Sequence, residues 1–183
     1  MSLSADQVSK HVETLHKAMK GMGTNENQLI EVLGTTSAPQ MDQIAKSFKA
    51  ALGKDLLEEI KSETRGNFAT LAQDLVTPAA HFDAKCVQSA VQGMGTDEEL
   101  LIEVIVGRSN AEIAAMKAAY STIYKQDLEK DVANDLDGKL KRFFVGMVQG
   151  QRDESQQVLD INRDVESLFN AGQGKWGTDG ILS

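Results

Sequence analysis

The sequence predicts an all-α fold made of two copies of one five-helix unit. Three observations lead there. First, Gly21-Met22-Gly23-Thr24 returns as Gly93-Met94-Gly95-Thr96, seventy-two residues on. Second, the same offset relates Leu29-Ile30-Glu31-Val32 to Leu101-Ile102-Glu103-Val104, Ser37 to Ser109, Asp55-Leu56 to Asp127-Leu128 and Gly66 to Gly138. A constant offset over so many positions marks duplication of a whole structural unit. Third, apolar residues recur at helical spacing, while β-branched alternation bounded by turns is absent.

The first helix is expected from about Ala5, with Val8, Val12, Leu15 and Met19 on one stripe. The second starts after Thr24 and carries Leu29, Ile30 and Leu33. The third begins near Ser37, tolerates Pro39 in its first turn, and ends at Gly53. Met41, Ile44, Phe48 and Leu52 are its apolar positions. A short fourth helix covers about Asp55 to Ser62, and a fifth runs from Phe68 through Leu71 to Leu75. In the second copy, Ile113, Met116, Tyr120 and Ile123 mark the third helix, and Leu140, Phe143, Phe144 and Met147 the fifth. Thr96 with Glu99 is read as a capping box opening the second helix there. Pro78 sits in a short join, and a polar stretch from Gln149 to Gln157 follows the second copy. Ile161 to Ser183 reads as the opening of a third copy, which could not bury its own apolar face, so a fragment of a longer protein is expected.

Composition narrows the function. At 183 residues and 41% apolar, the chain can bury a real core. A net charge of -8 provides no basic stripe for nucleic acid. It equally opposes direct electrostatic binding to anionic lipid, unless a cation bridges the two. The single cysteine, Cys86, builds no disulfide framework, points to a reducing cytoplasmic setting, and is expected to be buried. No apolar run is long enough to span a bilayer, and no secretory leader is recognised at the N-terminus.

The repeated loop fits a metal site. Ca²⁺ takes six to eight oxygens, and glycine-bent backbone can turn several carbonyls toward one point. Candidates are the carbonyls of Met19, Gly21 and Gly23, and of Val91, Gly93 and Gly95. An acid must come from elsewhere. Forty residues past Gly23 stands Glu63, and forty past Gly95 stands Asp135, each just ahead of a repeat-matched glycine. One carboxylate with neutral carbonyls leaves the ion under-coordinated. Affinity alone should then lie toward the weak end, about 10⁻⁵ to 10⁻³ M. Anionic lipid completing the shell should tighten it.

These residues carry a resemblance. Met19-Lys20-Gly21-Met22-Gly23-Thr24 with Glu63, and Gly93-Met94-Gly95-Thr96-Asp97-Glu98 with Asp135, resemble annexin repeats. Ala171-Gly172-x-x-Lys175-Trp176-Gly177-Thr178-Asp179 resembles the start of a third. The resemblance implies five-helix repeats packed into a curved array, with the loops on the membrane-facing side. It implies calcium-dependent binding to anionic, phosphatidylserine-like phospholipid, peripheral and reversible, with self-association on that surface as a further expectation. It divides the chain into a first repeat (1–77), a second (78–150), a linker (151–160) and a truncated start of a third (161–183). A third loop would offer carbonyls of Gly172, Lys175 and Gly177, its acid lying beyond Ser183. Thr24, Glu26, Thr96 and Glu98 are secondary metal candidates, and Lys20, Arg65 and Trp176 candidate membrane contacts. Lys139 and Lys175 also flank loops. In this family an arginine usually stands where unit one has Thr36 and unit two has Arg108.

Other readings are weaker. His11, His16 and His81 lack metal spacing. An EF-hand over Asp135-x-Asp137-Gly138 would need ligands at Ala133 and Phe144, and fails. No phosphate-binding Gly-x-x-x-x-Gly-Lys run or nucleophile–base set points to an enzyme. The competing functional reading is a calcium-independent helical scaffold or interaction module, or a truncated chain that no longer binds membranes.

Overall fold

The computed structural model describes residues 2–21, 23–155 and 160–172. Regular structure among them is entirely helical. The chain divides into two compact units, Met1–Phe82 and Asp83–Ser183.

The first unit holds α1 (Ala5–Met19), α2 (Glu26–Thr35), α3 (Ala38–Leu52), α4 (Leu56–Glu63) and α5 (Gly66–Val76). Local chemistry sets the boundaries. Ser4 caps α1 by accepting the Gln7 N–H, and the Gln7 side chain accepts the Ser4 N–H in return. Gln40 serves Ser37 in the same way at the start of α3. Gly53 ends α3 at φ 68°, the left-handed turn that glycine adopts without penalty. Asp55 accepts the Leu57 N–H and opens α4.

The stripe Val8, Val12, Leu15 and Met19 is buried, as its spacing predicts. It packs with Leu29, Leu33, Met41, Ile44, Phe48, Leu56 and Ile60. Full burial of a side chain of this size contributes roughly 1.5–3 kcal/mol, and this cluster is what holds the loop-bearing end of α1 in place. Helix α5 departs from the expected pattern. Leu71 and Leu75 are exposed, while Ala69, Ala72 and Val76 face the core.

The second unit repeats the order: α6 (Ala79–Val91), α7 (Glu98–Ile105), α8 (Asn110–Tyr124), α9 (Leu128–Asp135) and α10 (Gly138–Val148). Val87, Leu101, Ile105, Ile113, Met116, Tyr120, Leu128, Val132 and Phe144 form its interior. Two expectations need correcting. Helix α7 is capped by Asp97, whose carboxylate accepts the Leu100 N–H at 3.0 Å, rather than by Thr96 and Glu99. The Thr96 hydroxyl is engaged elsewhere, as described below. Cys86 is half-buried, because it lies beside rather than on the Ala84–Val87 face of α6.

Beyond the second unit's fifth helix, residues Arg152 to Glu154 fold back on the start of α8. Glu154 accepts the Asn110 N–H, and the Arg152 guanidinium donates to the Val106 and Arg108 carbonyls. A last helix, α11 (Ile161–Gly172), has Ile161, Val165, Leu168 and Phe169 exposed. No helix among the described residues is long and apolar enough to cross a membrane.

Candidate metal centre

Each loop leaves the end of one helix and returns to the start of the next. A backbone bond closes it at the same place in both units. Asn25 N–H donates to the Ala18 carbonyl at 2.8 Å, and Asp97 N–H to the Ala90 carbonyl at 2.9 Å. Between these points the glycines take positive φ: 114° at Gly21, 90° at Gly23, 123° at Gly93 and 87° at Gly95. A side-chain-bearing residue would be strained there, so the glycines are required by the loop path itself. Among the described residues, no backbone N–H outside the helices donates to the carbonyls of Val91, Gly93 or Gly95. Those oxygens are available to a ligand.

The distal acids come to the loops through threonine. Thr24 Oγ1 donates to the backbone carbonyl of Glu63 at 2.7 Å, with Glu63 Oε2 at 3.5 Å. Thr96 Oγ1 donates to the Asp135 carbonyl at 2.9 Å and to Asp135 Oδ2 at 2.5 Å. Aspartate is one methylene shorter than glutamate, so its carboxylate lies nearer its own backbone and within reach of the same hydroxyl. Both acids are half-buried at the last position of a short helix, α4 or α9. Gly66 and Gly138, at φ 61° and 58°, then turn the chain into the following helix.

In the second unit three of the four predicted ligands share one cleft, while Gly95 lines a neighbouring pocket with Thr96 and Glu98. Val91, Gly93 and Asp135 line a cavity of about 310 Å³, together with Gln88, Gln92, Gln126, Asp131 and Asn134. At its back lies Tyr120, fully buried. Its hydroxyl contacts Asp131 Oδ2 at 2.8 Å and Gln88 Oε1. Burial first, then the neighbouring Asp131 carboxylate, push this phenol well above the ordinary tyrosine range.

The remaining candidates are surface groups. Glu26 and Glu98 are exposed in the first turns of α2 and α7. Lys20 and Arg65 are exposed beside the first loop. Their repeat counterparts are Gln92 and Asp137, so these two positions carry positive charge in the first unit and not in the second. Gly172 ends α11. Lys175, Trp176 and Gly177 lie outside the described residues.

The donor set is hard. Among the described residues no three His, Cys, Asp or Glu side chains gather in one place. What each loop presents instead is peptide oxygen plus one carboxylate, which suits Ca²⁺ and not a thiophilic or imidazole-seeking metal. Sequence reading found the loops and the acids by their common offset. It missed the threonine ties and the Tyr120 network. The former had a visible signal, since Thr24 and Thr96 share the offset, but Thr96 reads as a helix cap and Thr24 only as a secondary metal candidate. The latter had none, since Tyr120 reads as one more apolar helix position.

A duplicated five-helix unit, with a glycine-bent loop and a distal acid in each copy, defines a class of helical-repeat protein. Family comparison agrees: the annexin model matches residues 10–75 and 82–147, and the chain belongs to the annexin family. Human annexin A13 is 42% identical over 174 residues, covering 94% of this chain and 55% of that protein. Annexin A5 of Cynops pyrrhogaster is 40% identical over 169 residues, 91% of this chain and 52% of that one. The chain therefore spans about half the length of these relatives. Among solved structures, annexin III aligns over 100% of this chain and 57% of its own, with a TM-score of 0.81 and 34% identity. Calcium-bound annexin (Sm)1 aligns over 85% of this chain and 47% of its own, with a TM-score of 0.80 and 28% identity.

Proposed function

We propose that this chain binds Ca²⁺ at its two loops and, through the ion, attaches reversibly to anionic phospholipid from the cytoplasmic side. The observation that carries this is the tie described above. In both units one threonine hydroxyl ties a loop with two positive-φ glycines to the main chain of the residue that carries the distal, half-buried carboxylate. The carbonyls of Met19, Gly21 and Gly23 with Glu63 would hold one ion. Those of Val91, Gly93 and Gly95 with Asp135 would hold the other. Calcium supplies a bridging positive charge here, and the protein supplies the oxygens and their spacing.

The electrostatics support the lipid arm. A chain of net charge -8 is repelled by an acidic bilayer unless the ion intervenes. Each loop offers too few ligands to fill a calcium shell, which leaves room for headgroup phosphate or carboxylate oxygen. Lys20 and Arg65 would add direct attraction at the first loop. Met94 at the crest of the second loop is fully exposed, an apolar tip placed where it can enter the headgroup layer. Structural relatives include a calcium-bound annexin.

The test is co-sedimentation with phosphatidylserine vesicles at millimolar calcium and in chelator. Sedimentation in calcium alone is expected, with phosphatidylcholine vesicles leaving the protein in the supernatant. The double variant Glu63→Gln with Asp135→Asn should remain in the supernatant in both. Recruitment that ignores chelator, or that survives the double substitution at the same calcium demand, would overturn the reading.

A further inference from the structure

We infer that Tyr120 is a positioning residue for the second loop's metal site, and that the two sites are therefore unequal in how well they are set before any ion arrives. The inference rests on the calcium reading above and deepens it. Tyr120 stands one turn before the end of α8, fully buried, and its hydroxyl reaches two other helices at once. Gln88 belongs to α6, three residues before the Val91 carbonyl. Asp131 belongs to α9, one helical turn before Asp135. The two halves of the site, peptide oxygens from the end of α6 and a carboxylate from the end of α9, thus hang from helices joined through one phenol. Gln88, Asp131, Val91, Gly93 and Asp135 all line the same cleft.

The duplication provides an internal comparison. At the three matching positions, seventy-two residues earlier, stand His16, Phe48 and Glu59. Phe48 is buried like Tyr120 but has no hydroxyl to give. Glu59, the counterpart of Asp131, is paired with Lys54 at 2.8 Å instead. The first unit thus lacks this link between α1 and α4 at the matching positions. A hydrogen bond to a charged acceptor stiffens what it joins, and breaking this one leaves the buried phenol hydroxyl of Tyr120 unsatisfied away from water. A site already held near its bound geometry loses less freedom on binding and so binds more tightly.

The substitution that tests this is Tyr120→Phe, the residue the first unit already accommodates at the equivalent place. In an otherwise unchanged chain without metal, amide exchange should quicken over 91–96 and 132–137 and stay unchanged over 19–24 and 60–65. Calcium titration is then followed calorimetrically in two backgrounds. With Glu63→Gln silencing the first site, Tyr120→Phe should weaken the remaining site by about threefold to tenfold, the net worth of one hydrogen bond. With Asp135→Asn silencing the second, it should change nothing. Equal weakening in both backgrounds would show a general loss of structure and overturn the assignment, as would unchanged exchange or unchanged affinity at the second site. Failure of the unsubstituted chain to take up calcium at all would sink the metal reading itself, and the assignment with it.

Discussion

Asp83 and Arg108 form a two-point ion pair inside the second unit, Arg108 Nε donating to Asp83 Oδ2 at 2.6 Å and Nη2 to Oδ1 at 2.8 Å. Asp83 is buried, so the guanidinium is what makes that carboxylate tolerable away from water. The pair ties the first half of α6 to the turn between α7 and α8, at the far ends of these helices from the second loop. In the first unit the same positions hold His11 and Thr36, and the Thr36 hydroxyl turns back to the Val32 carbonyl of its own helix. Arg108→Ala is expected to destabilise the second unit by about 3 kcal/mol, because it strands a buried charge. The double variant carrying the first unit's residues, Asp83→His with Arg108→Thr, should cost clearly less. Urea unfolding measures both; an alanine variant as stable as the parent would contradict the role given to the pair.

Removing the threonine hydroxyls separates aiming from folding. Thr96→Val keeps the shape and deletes the donor to Asp135. Calcium affinity at the second site should fall by about tenfold or more, the usual worth of one hydrogen bond to a charged group. Thr24→Val should affect the first site less, since its hydroxyl bonds chiefly to the Glu63 main chain. Titration calorimetry of each variant decides the order.

Alkaline stability reports on Tyr120. Its pKa in the folded chain is raised, by burial first and then by Asp131. The folded state therefore holds this proton more tightly than the unfolded state does. The stability it contributes is complete below the ordinary tyrosine value, about 10, and is lost as pH rises above that value toward the raised one. Between pH 9 and 11 the parent should lose more stability than Tyr120→Phe does. Parallel denaturant midpoints for the two across that range would refute the shift.

Met94 tests the lipid arm without touching the metal. Met94→Ser should leave calcium binding unchanged in the absence of vesicles. Partition onto phosphatidylserine vesicles at fixed calcium should drop by about fivefold, matching the loss of roughly 1 kcal/mol of partial apolar burial. An unchanged partition would mean that the tip stays in water.

Helix order, the two glycine loops and the distal acids were all legible in the bare chain. Each is a local or periodic property. Capping residues act within one turn, the Val8-Val12-Leu15-Met19 stripe follows helical pitch, and duplication placed Glu63 and Asp135 at one internal address. The partners of individual polar groups were not legible, because the bonds of Thr96, Tyr120 and Arg108 span 39, 11 and 25 residues of sequence. A hydroxyl beside a helix start reads as a cap until packing delivers a better acceptor. Helix-on-helix packing made that choice, bringing the end of α9 to the loop after α6 and leaving Asp97 to cap α7. A tyrosine and a phenylalanine fill a core position almost alike, and only the carboxylate brought in by a third helix makes the phenol matter.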